Sequence, residues 1–369
     1  MKQRPKVLLL IPHLGGGGAE QVIALLARGL SLEKYELHLG LVTLRDAGQD
    51  ELPTRVGIHS LGAKRVRSGA FRLLRLVRRL KPDLILSGMA HLNFLVLLLR
   101  PWFPPETRVL VRQNGTVSAL LSSQRNPGFT RLLYRRLYPR ADRVICQSPA
   151  MARDLAQELG IAQDRLAVLL NPVDVDGIRN AAGEDRWVGP GPHLLAVGRL
   201  SREKGFDLLL RALGTVRGRF PHTDLTIAGS GPEERSLKTQ CRKLGFDAAV
   251  RFEGYVERPS AYFPGATAFV LSSRHEGLPN ALLEAAAGGL PIVALPASEG
   301  VVELLRSQPG TWLAKEISTE ALAECLLTAL NALKPGERFD HGFIAEFRID
   351  RTIKAYEALI DETLKERNP

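Results

Sequence analysis

Cysteine is scarce in this 369-residue chain. Cys146, Cys241 and Cys325 are the only three, too few and too scattered for a disulfide framework or a zinc site. A reducing compartment is the expected setting. Long apolar runs are also missing. The longest mainly apolar stretch after the first strand, Leu92–Leu99, stops at Arg100-Pro101, far short of the ~20 residues that span a bilayer. Val7–Pro12 is strand-length and leads into glycines with no cleavage-like site, so no secretory signal is expected and the chain reads as soluble or peripheral. No internal repeat and no G-x-G-x-x-G fingerprint occur, which weakens a dinucleotide reading.

Positive charge is in excess. Fifty Lys and Arg against 39 Asp and Glu leave a net +11, with the arginine clusters mainly in residues 1–150. Such a balance favours anionic membrane, phosphorylated substrates or nucleic acid, without choosing among them. The stretch Ala70–Lys81 places Phe71, Leu73, Leu74, Leu76, Val77 and Leu80 at helical spacing, predicting a core face, between Arg72, Arg75, Arg78 and Arg79 with no acid. Gln124–Arg143 carries six arginines with Phe129, Tyr134 and Tyr138 and one acid, Asp142. Arginine beside aromatics and leucines suits an anionic lipid surface. RNA would also suit it, but no nucleic-acid module is present.

A length of 369 residues and ordinary hydrophobic content predict two domains, each with its own core. Strands are expected at Lys6–Pro12, Tyr35–Leu44, Asp83–Ser87, Arg108–Arg112, Arg143–Gln147 and Leu166–Leu170. Helices are expected before Gly29, over Ala70–Lys81 and His91–Arg100, and from Ser148-Pro149 to Gly160. Asn171-Pro172 marks a turn that closes the first half, and residues 180–192 read as a Gly/Pro-rich linker. The second half repeats the alternation with strands at His193–Val197, Asp224–Ala228, Val250–Phe252, Ala268–Leu271 and Pro291–Ala294, a helix from Phe206, and a terminal helix over Ile349–Lys365. Two doubly wound α/β sheets follow from that pattern.

Ser272–Pro291 (SSRHEGLPNALLEAAAGGLP) organises the chemistry. An apolar strand is followed by a loop with His275, Glu276 and Gly277, then a helix whose expected first residue is Pro279. That arrangement aims backbone N–H groups at an anion. Glu276 precedes the helix start and Glu284 follows it eight residues later. A capped surface helix with dipole-friendly acids would have the same spacing. Further on the same theme, Gly198-Arg199-Leu200 and Glu203-Lys204-Gly205 put two cations on one β–α loop, as a diphosphate requires. The run of glycines from Gly15 to Gly18, followed by Glu20, lets backbone approach a ligand, or forms a flexible turn.

The E-x7-E stretch with its EGLPNALLEA core, together with GRL-x-x-EKG, Gly229-Ser230-Gly231-Pro232 and the glycine loop, resembles the retaining glycosyltransferases of family 4, of bacterial cell-surface glycan assembly type. The resemblance spans nearly the whole chain. It implies the GT-B fold: two Rossmann-like domains facing across a cleft, residues 1–172 binding acceptor, residues 173–349 binding donor, and residues 350–369 returning as a helix to the first domain. It also implies a catalytic set of Glu276, Arg199 and Lys204. The implied donor-binding residues are Gly17, Gly198, Arg199, Lys204, Gly229, Gly231, Tyr255, Glu276, Gly277, Leu278, Asn280 and Glu284, with Glu276 on the sugar, Glu284 on the ribose, and Arg199 and Lys204 on the diphosphate. Gly16, Glu20 and Asn114 are expected to line the acceptor cleft.

The implied reaction is retaining transfer from a nucleotide diphospho-sugar to a lipid-linked or glycan acceptor at the inner face of the cytoplasmic membrane. No cofactor or metal is expected, since no DxD-like pair appears where a metal would be needed and protein cations can take the metal's place. One departure stands out. Many members place a His after the strand matching Arg108–Arg112, where this chain has Gln113 and Asn114; an amide can hydrogen-bond a sugar but cannot act as a base. Two other readings would use part of the same pattern: a GT-B-shaped sugar-nucleotide epimerase, and a non-catalytic basic membrane adaptor with no need for Arg199, Lys204, Glu276 and Glu284 together.

Overall fold

The structure is a computed structural model that describes residues 4–15, 17–43, 52–63, 65–124, 126–180 and 189–366. Two compact units emerge, residues 1–172 with 349–369, and residues 173–348.

Among the described residues of the first unit seven parallel strands form one sheet: β1 (Lys6–Ile11), β2 (Glu36–Leu41), β3 (Gly57–Ser60), β4 (Leu84–Ser87), β5 (Arg108–Arg112), β6 (Arg143–Cys146) and β7 (Leu166–Val168), in the order β3-β2-β1-β4-β5-β6-β7. Side chains alternate across the sheet with period two. Val7, Leu9 and Ile11 enter one core with Leu84 and Leu86; Leu8 and Leu10 enter the other with Ile85. Both faces are buried because crossover helices cover them. These helices are α1 (Gly18–Gly29), α2 (Ala70–Leu80), α3 (Ala90–Leu99), α4 (Val117–Ser123), α5 (Pro127–Leu137) and α6 (Pro149–Leu159). Ser148 caps α6 by accepting from Met151 N at 3.2 Å.

The second unit repeats the plan with β8 (His193–Val197), β9 (Asp224–Ala228), β10 (Val250–Gly254), β11 (Ala268–Leu271), β12 (Ile292–Ala294) and β13 (Thr311–Leu313), ordered β10-β9-β8-β11-β12-β13 and all parallel. Its helices are α7 (Val175–Asn180), α8 (Phe206–Arg219), α9 (Glu234–Lys243), α10 (Asn280–Ala287), α11 (Glu299–Leu305) and α12 (Thr319–Ala332). Leu209, Leu213 and Val216 of α8 meet Leu322 and Leu326 of α12 over Leu194, Ala196 and Val270. The last helix, α13 (Ile349–Lys365), belongs to the first unit. Its Ile353, Tyr356 and Ile360 join Val22, Ile23 and Leu26 of α1. Gly29 allows the approach, for a Cβ there would stand 2.7 Å from Ile353 Cδ1.

Several expectations change. Phe71 does not share the core face of α2; it is 75% exposed while Leu73, Leu76 and Val77 are buried. Pro279 is the cap of α10, not its first residue. Its φ of −75° would suit a helix but its ψ of 118° is extended, and its carbonyl accepts from Leu282 N at 3.1 Å. Strands β2 and β7 are shorter than the apolar pattern implied, because Val42 and Leu169 lie beyond the paired register. The tip of the proposed linker, 181–188, lies outside the described residues, as do Gly16 and Arg125. All three cysteines are buried and free. Burial pushes the Cys146 thiol up to about 12 and the Cys325 thiol up to about 11, so neither is a nucleophile at neutral pH.

Candidate functional site

Topology places the candidate site of the second unit. The chain winds from β8 outward through β9 and β10, then returns to β11 on the other side of β8. The loops after β8 and β11 therefore leave the sheet in opposite directions at its switch point, where α/β sheets open a crevice. The first loop carries Gly198, Arg199 and Lys204; the second carries Glu276. These residues are brought together from 72 positions apart: Lys204 Nζ donates to Glu276 Oε1 at 2.6 Å, and Ser273 Oγ donates to the same oxygen at 2.6 Å.

The two loops are laced to hold that geometry. Ser272 Oγ donates to Lys204 O at 2.8 Å, and Arg274 N to Glu203 O at 2.7 Å. The Arg274 guanidinium forks onto Asp207, both bonds 2.7 Å, and donates to Arg202 O at 2.8 Å. Burial works to raise the Asp207 carboxyl's pKa, but the guanidinium groups of Arg274 and Arg211 more than offset it, and it stays below the ordinary carboxylate range. The motifs assign no role to Asp207, or to Arg274 within Ser272–Pro291. A planar fork on a carboxylate in the first turn of α8 is the kind of tie that fixes a loop. Gly205 completes the joint at a φ of +63°, with Ser272 O standing 2.0 Å from where a Cβ would be.

Arg199 is different. Its side chain is exposed, and none of the described residues holds it by a hydrogen bond or ion pair. The Lys204 stem crosses Gly198, whose Cβ would lie 3.6 Å from Lys204 Cδ. Gly229 and Gly231 sit on the neighbouring β9–α9 loop, and their lack of side chains lets that backbone pass against Gly198 O and Leu200 O. Gly277 and Leu278 are buried between Glu276 and the cap of α10, where Gly277 O accepts from Ser298 Oγ at 3.1 Å. Asn280 and Glu284 are half-buried on α10; His275 is exposed, and Tyr255 stands 54% exposed just past β10.

In the first unit the corresponding switch point lies between β1 and β4. Gly17 caps α1, its carbonyl accepting from Gln21 N at 3.0 Å. Glu20, buried in the first turn, brings Oε2 to 2.7 Å from the position of a Gly17 Cβ. His91, at the start of α3, lies within electrostatic reach of Glu20 and His13. Burial lowers the His91 pKa and His13 adds to this, while Glu20 opposes it. His91 carried no sequence signal of its own.

Asn114 follows β5 and is tied to protein groups at both ends of its amide. Nδ2 donates to Gly88 O at 2.5 Å, and Oδ1 accepts from Gln147 Nε2 at 3.2 Å and from Arg112. Arg112 is fully buried and is also held by Asn171 and by Tyr356 Oη at 3.3 Å. A cavity of about 880 Å³ in this unit lies elsewhere, at the opposite ends of the strands, where Arg108 and Arg143 begin β5 and β6. Among the described residues, no three His, Cys, Asp or Glu side chains gather as a metal-holding group, and no helix is long and apolar enough to cross a membrane.

Residues 16–176 match the profile described as Glycosyltransferase Family 4, and residues 191–332 match Glycosyl transferases group 1. A Campylobacter jejuni relative, N-acetylgalactosamine-N,N'-diacetylbacillosaminyl-diphospho-undecaprenol 4-alpha-N-acetylgalactosaminyltransferase, is 29% identical over 313 residues, covering 81% of this chain and 83% of that protein. The lipopolysaccharide core biosynthesis glycosyltransferase LpsE of Rhizobium meliloti is 28% identical over 307 residues, covering 81% and 85%. Among solved structures, Anabaena HepE in complex with UDP and glucose superposes with a TM-score of 0.77 at 18% identity, covering 97% of this chain and 100% of that one. Sucrose-phosphate synthase of Thermosynechococcus elongatus gives 0.82 at 16% identity, covering 98% and 100%.

The two parallel sheets and these neighbours define the GT-B fold expected from the sequence. The chain belongs to the family 4 glycosyltransferases, a family that includes enzymes of glycan biosynthesis.

Proposed function

We propose that this enzyme is a retaining, metal-independent hexosyltransferase that moves a sugar from a nucleotide diphospho-sugar to a lipid-linked glycan or polysaccharide precursor. The observation that carries the donor half is the meeting of Lys204 and Glu276 at the switch point of the second unit, beside an unheld Arg199. In the reaction the bond between the anomeric carbon and the diphosphate oxygen breaks, the acceptor hydroxyl's oxygen forms the new bond on the same face while its proton passes to the departing diphosphate oxygen, and negative charge collects on the leaving diphosphate as the bond breaks. Arg199 and Lys204 stabilise that charge as it develops, a contribution from fixed electrostatics that uses no acid–base group. Glu276 holds sugar hydroxyls next to the positive anomeric centre, and Glu284 holds the ribose. Gly229, Gly231 and Tyr255 line the phosphate and base end. UDP in the HepE complex supports a nucleotide diphosphate as the leaving group.

The two glutamates are expected to fail differently. A screen of sugar nucleotides by thermal shift identifies the donor, since a ligand at ~100 times its Kd adds roughly 2.7 kcal/mol. With that donor, Glu276→Gln lowers kcat more than it raises KM, because it removes charge beside a developing cation. Glu284→Ala raises donor KM with less change in kcat, because its contact is the same in ground and transition states. Silence of both variants would return the motif to a helix cap and remove the transferase reading's centre.

The acceptor half rests on the first unit's surface. Helices α2, α3 and α5 cover the same sheet face, and their outer side exposes Phe71, Leu98, Phe129 and Leu132 among the exposed Arg72, Arg75, Arg79 and Arg136. Apolar side chains ringed by arginine suit peripheral binding to an anionic bilayer, here the inner face of the cytoplasmic membrane. The diphospho-undecaprenol in the Campylobacter relative's name supports a lipid-linked acceptor. Flotation with anionic vesicles should recover the protein, and neutral vesicles should not. Phe71→Ser with Arg75→Glu and Arg79→Glu should abolish recovery; equal flotation on both vesicle types would rule this surface out.

A further inference from the structure

We infer that the Lys204–Glu276 ion pair is a competitor built into the donor site, one that makes the enzyme prefer an intact sugar nucleotide over the bare nucleoside diphosphate it releases. The inference rests on the donor-site reading and adds to it how the site tells substrate from product.

The two residues have separate tasks in that reading, one on the diphosphate and one on the sugar, yet the structure pairs them with each other at 2.6 Å. Lys204 cannot serve the diphosphate fully without loosening its hold on Glu276. The lysine is able to move. Its side chain is 24% exposed, its flexible stem runs over Gly198, and an ammonium offers three donors without a fixed plane. Glu276 is not: its side chain is 9% exposed, Glu276 N donates to Ala297 O at 3.1 Å, and Ser273 fixes the oxygen that faces the lysine. The Arg274–Asp207 fork pins the segment between Ser273 and Glu276. A mobile cation therefore rests against a fixed, mostly buried carboxylate.

Two ligands meet this pair with different results. A bare nucleoside diphosphate draws Lys204 away and leaves Glu276 with Ser273 alone, a buried charge short of a partner, which is costly. An intact donor draws Lys204 away too, but its sugar hydroxyls then donate to the vacated carboxylate. The ion pair thus acts against the product and is neutral toward the substrate. After transfer the sugar has left, Glu276 reclaims Lys204, and release of the diphosphate is favoured.

The test is a double-mutant cycle on binding of the bare diphosphate, by titration calorimetry with UDP, GDP, ADP and inorganic pyrophosphate as probes. Glu276→Gln removes the competing charge and keeps the shape, so it should bind the diphosphate about three- to tenfold more tightly than wild type, the range expected for a partly screened pair. Glu276→Ala should shift affinity in the same direction. Lys204→Ala should weaken binding, and in its background Glu276→Gln should have no effect, because the coupling is between these two residues. Weakened binding in Lys204→Ala with no tightening in either Glu276 variant would overturn the competitor and leave the donor site standing. Unchanged binding in Lys204→Ala, or no binding to any of the five proteins, would overturn both.

Discussion

Lys204→Ala is expected to lower turnover at saturating donor by about 10² to 10³-fold, the loss typical of removing one preorganised group from a developing negative charge. The lysine ends a short turn over Arg202–Lys204, and its backbone carbonyl accepts from Ser272 Oγ, a bond the substitution leaves in place. Truncation therefore removes the ammonium without undoing the joint between the two loops. The pair it breaks is part-exposed on the lysine side but leaves the mostly buried Glu276 with Ser273 alone, so a stability cost of about 1–2 kcal/mol is expected, between that of a surface pair and that of a buried one. Donor KM should rise as well, since the diphosphate is charged before and after the bond breaks. The check is steady-state release of the nucleoside diphosphate alongside a melting curve. Wild-type turnover in a folded Lys204→Ala protein would mean that the leaving group is stabilised elsewhere. Arg199→Ala should act in the same direction, and because Arg199 has no partner to lose among the described residues, its effect should be free of any stability term.

The inner strands were legible because most of their residues are buried on both faces and read as mainly apolar runs. HLLAV, DLTIA and AFVL fall where the sequence placed them. The two edge strands in the described sheets that escaped notice, β3 (GIHS) and β13 (TWL), are short and only partly covered, so they carry no run to see. Phe71 fell outside the core because α2 buries a narrow stripe, and hydrophobic spacing cannot distinguish a side chain at that stripe's border from one inside it. Strand β5 makes the same point with charge. Arg108 and Arg112 bracket RVLVR symmetrically, yet Arg108 shares Asp142 with Arg100 at one end while Arg112 is sealed among Asn114, Asn171 and Tyr356 at the other. Nothing local separates them; the register of the sheet and the return of α13 do. The site was legible residue by residue and illegible as contacts. Motifs gave Lys204 and Glu276 separate tasks, and only the switch of strand order between β8 and β11 brings them into one ion pair. Asp207 lies outside the motifs, and Arg274, although inside Ser272–Pro291, was given no task there, because what the two do is tie the loops together.

The joint between those loops supplies the largest expected stability effect. Gly205→Ala should destabilise the second unit by roughly 2–5 kcal/mol, combining the left-handed backbone penalty with displacement of a packed neighbour. Gly205 has a φ of +63°, which a Cβ disfavours, and the added carbon would stand 2.0 Å from Ser272 O. That neighbour is backbone held by β11 on one side and by the Arg274–Asp207 fork on the other, so it has no flexible end to move aside. For a unit of this size the loss corresponds to a fall in melting temperature of roughly 4–20 °C. Gly245→Ala separates the two causes. Gly245 has a φ of +73° but nothing within 4 Å of its Cβ position, so it should show the backbone penalty alone, about 1 kcal/mol. Equal melting temperatures for the two variants would mean that the approach of Ser272 to Gly205 is not a constraint. If Gly205→Ala instead melts well below Gly245→Ala and has lost donor binding at temperatures where it is still folded, the same contact that stabilises the unit also sets the distance between Lys204 and Glu276.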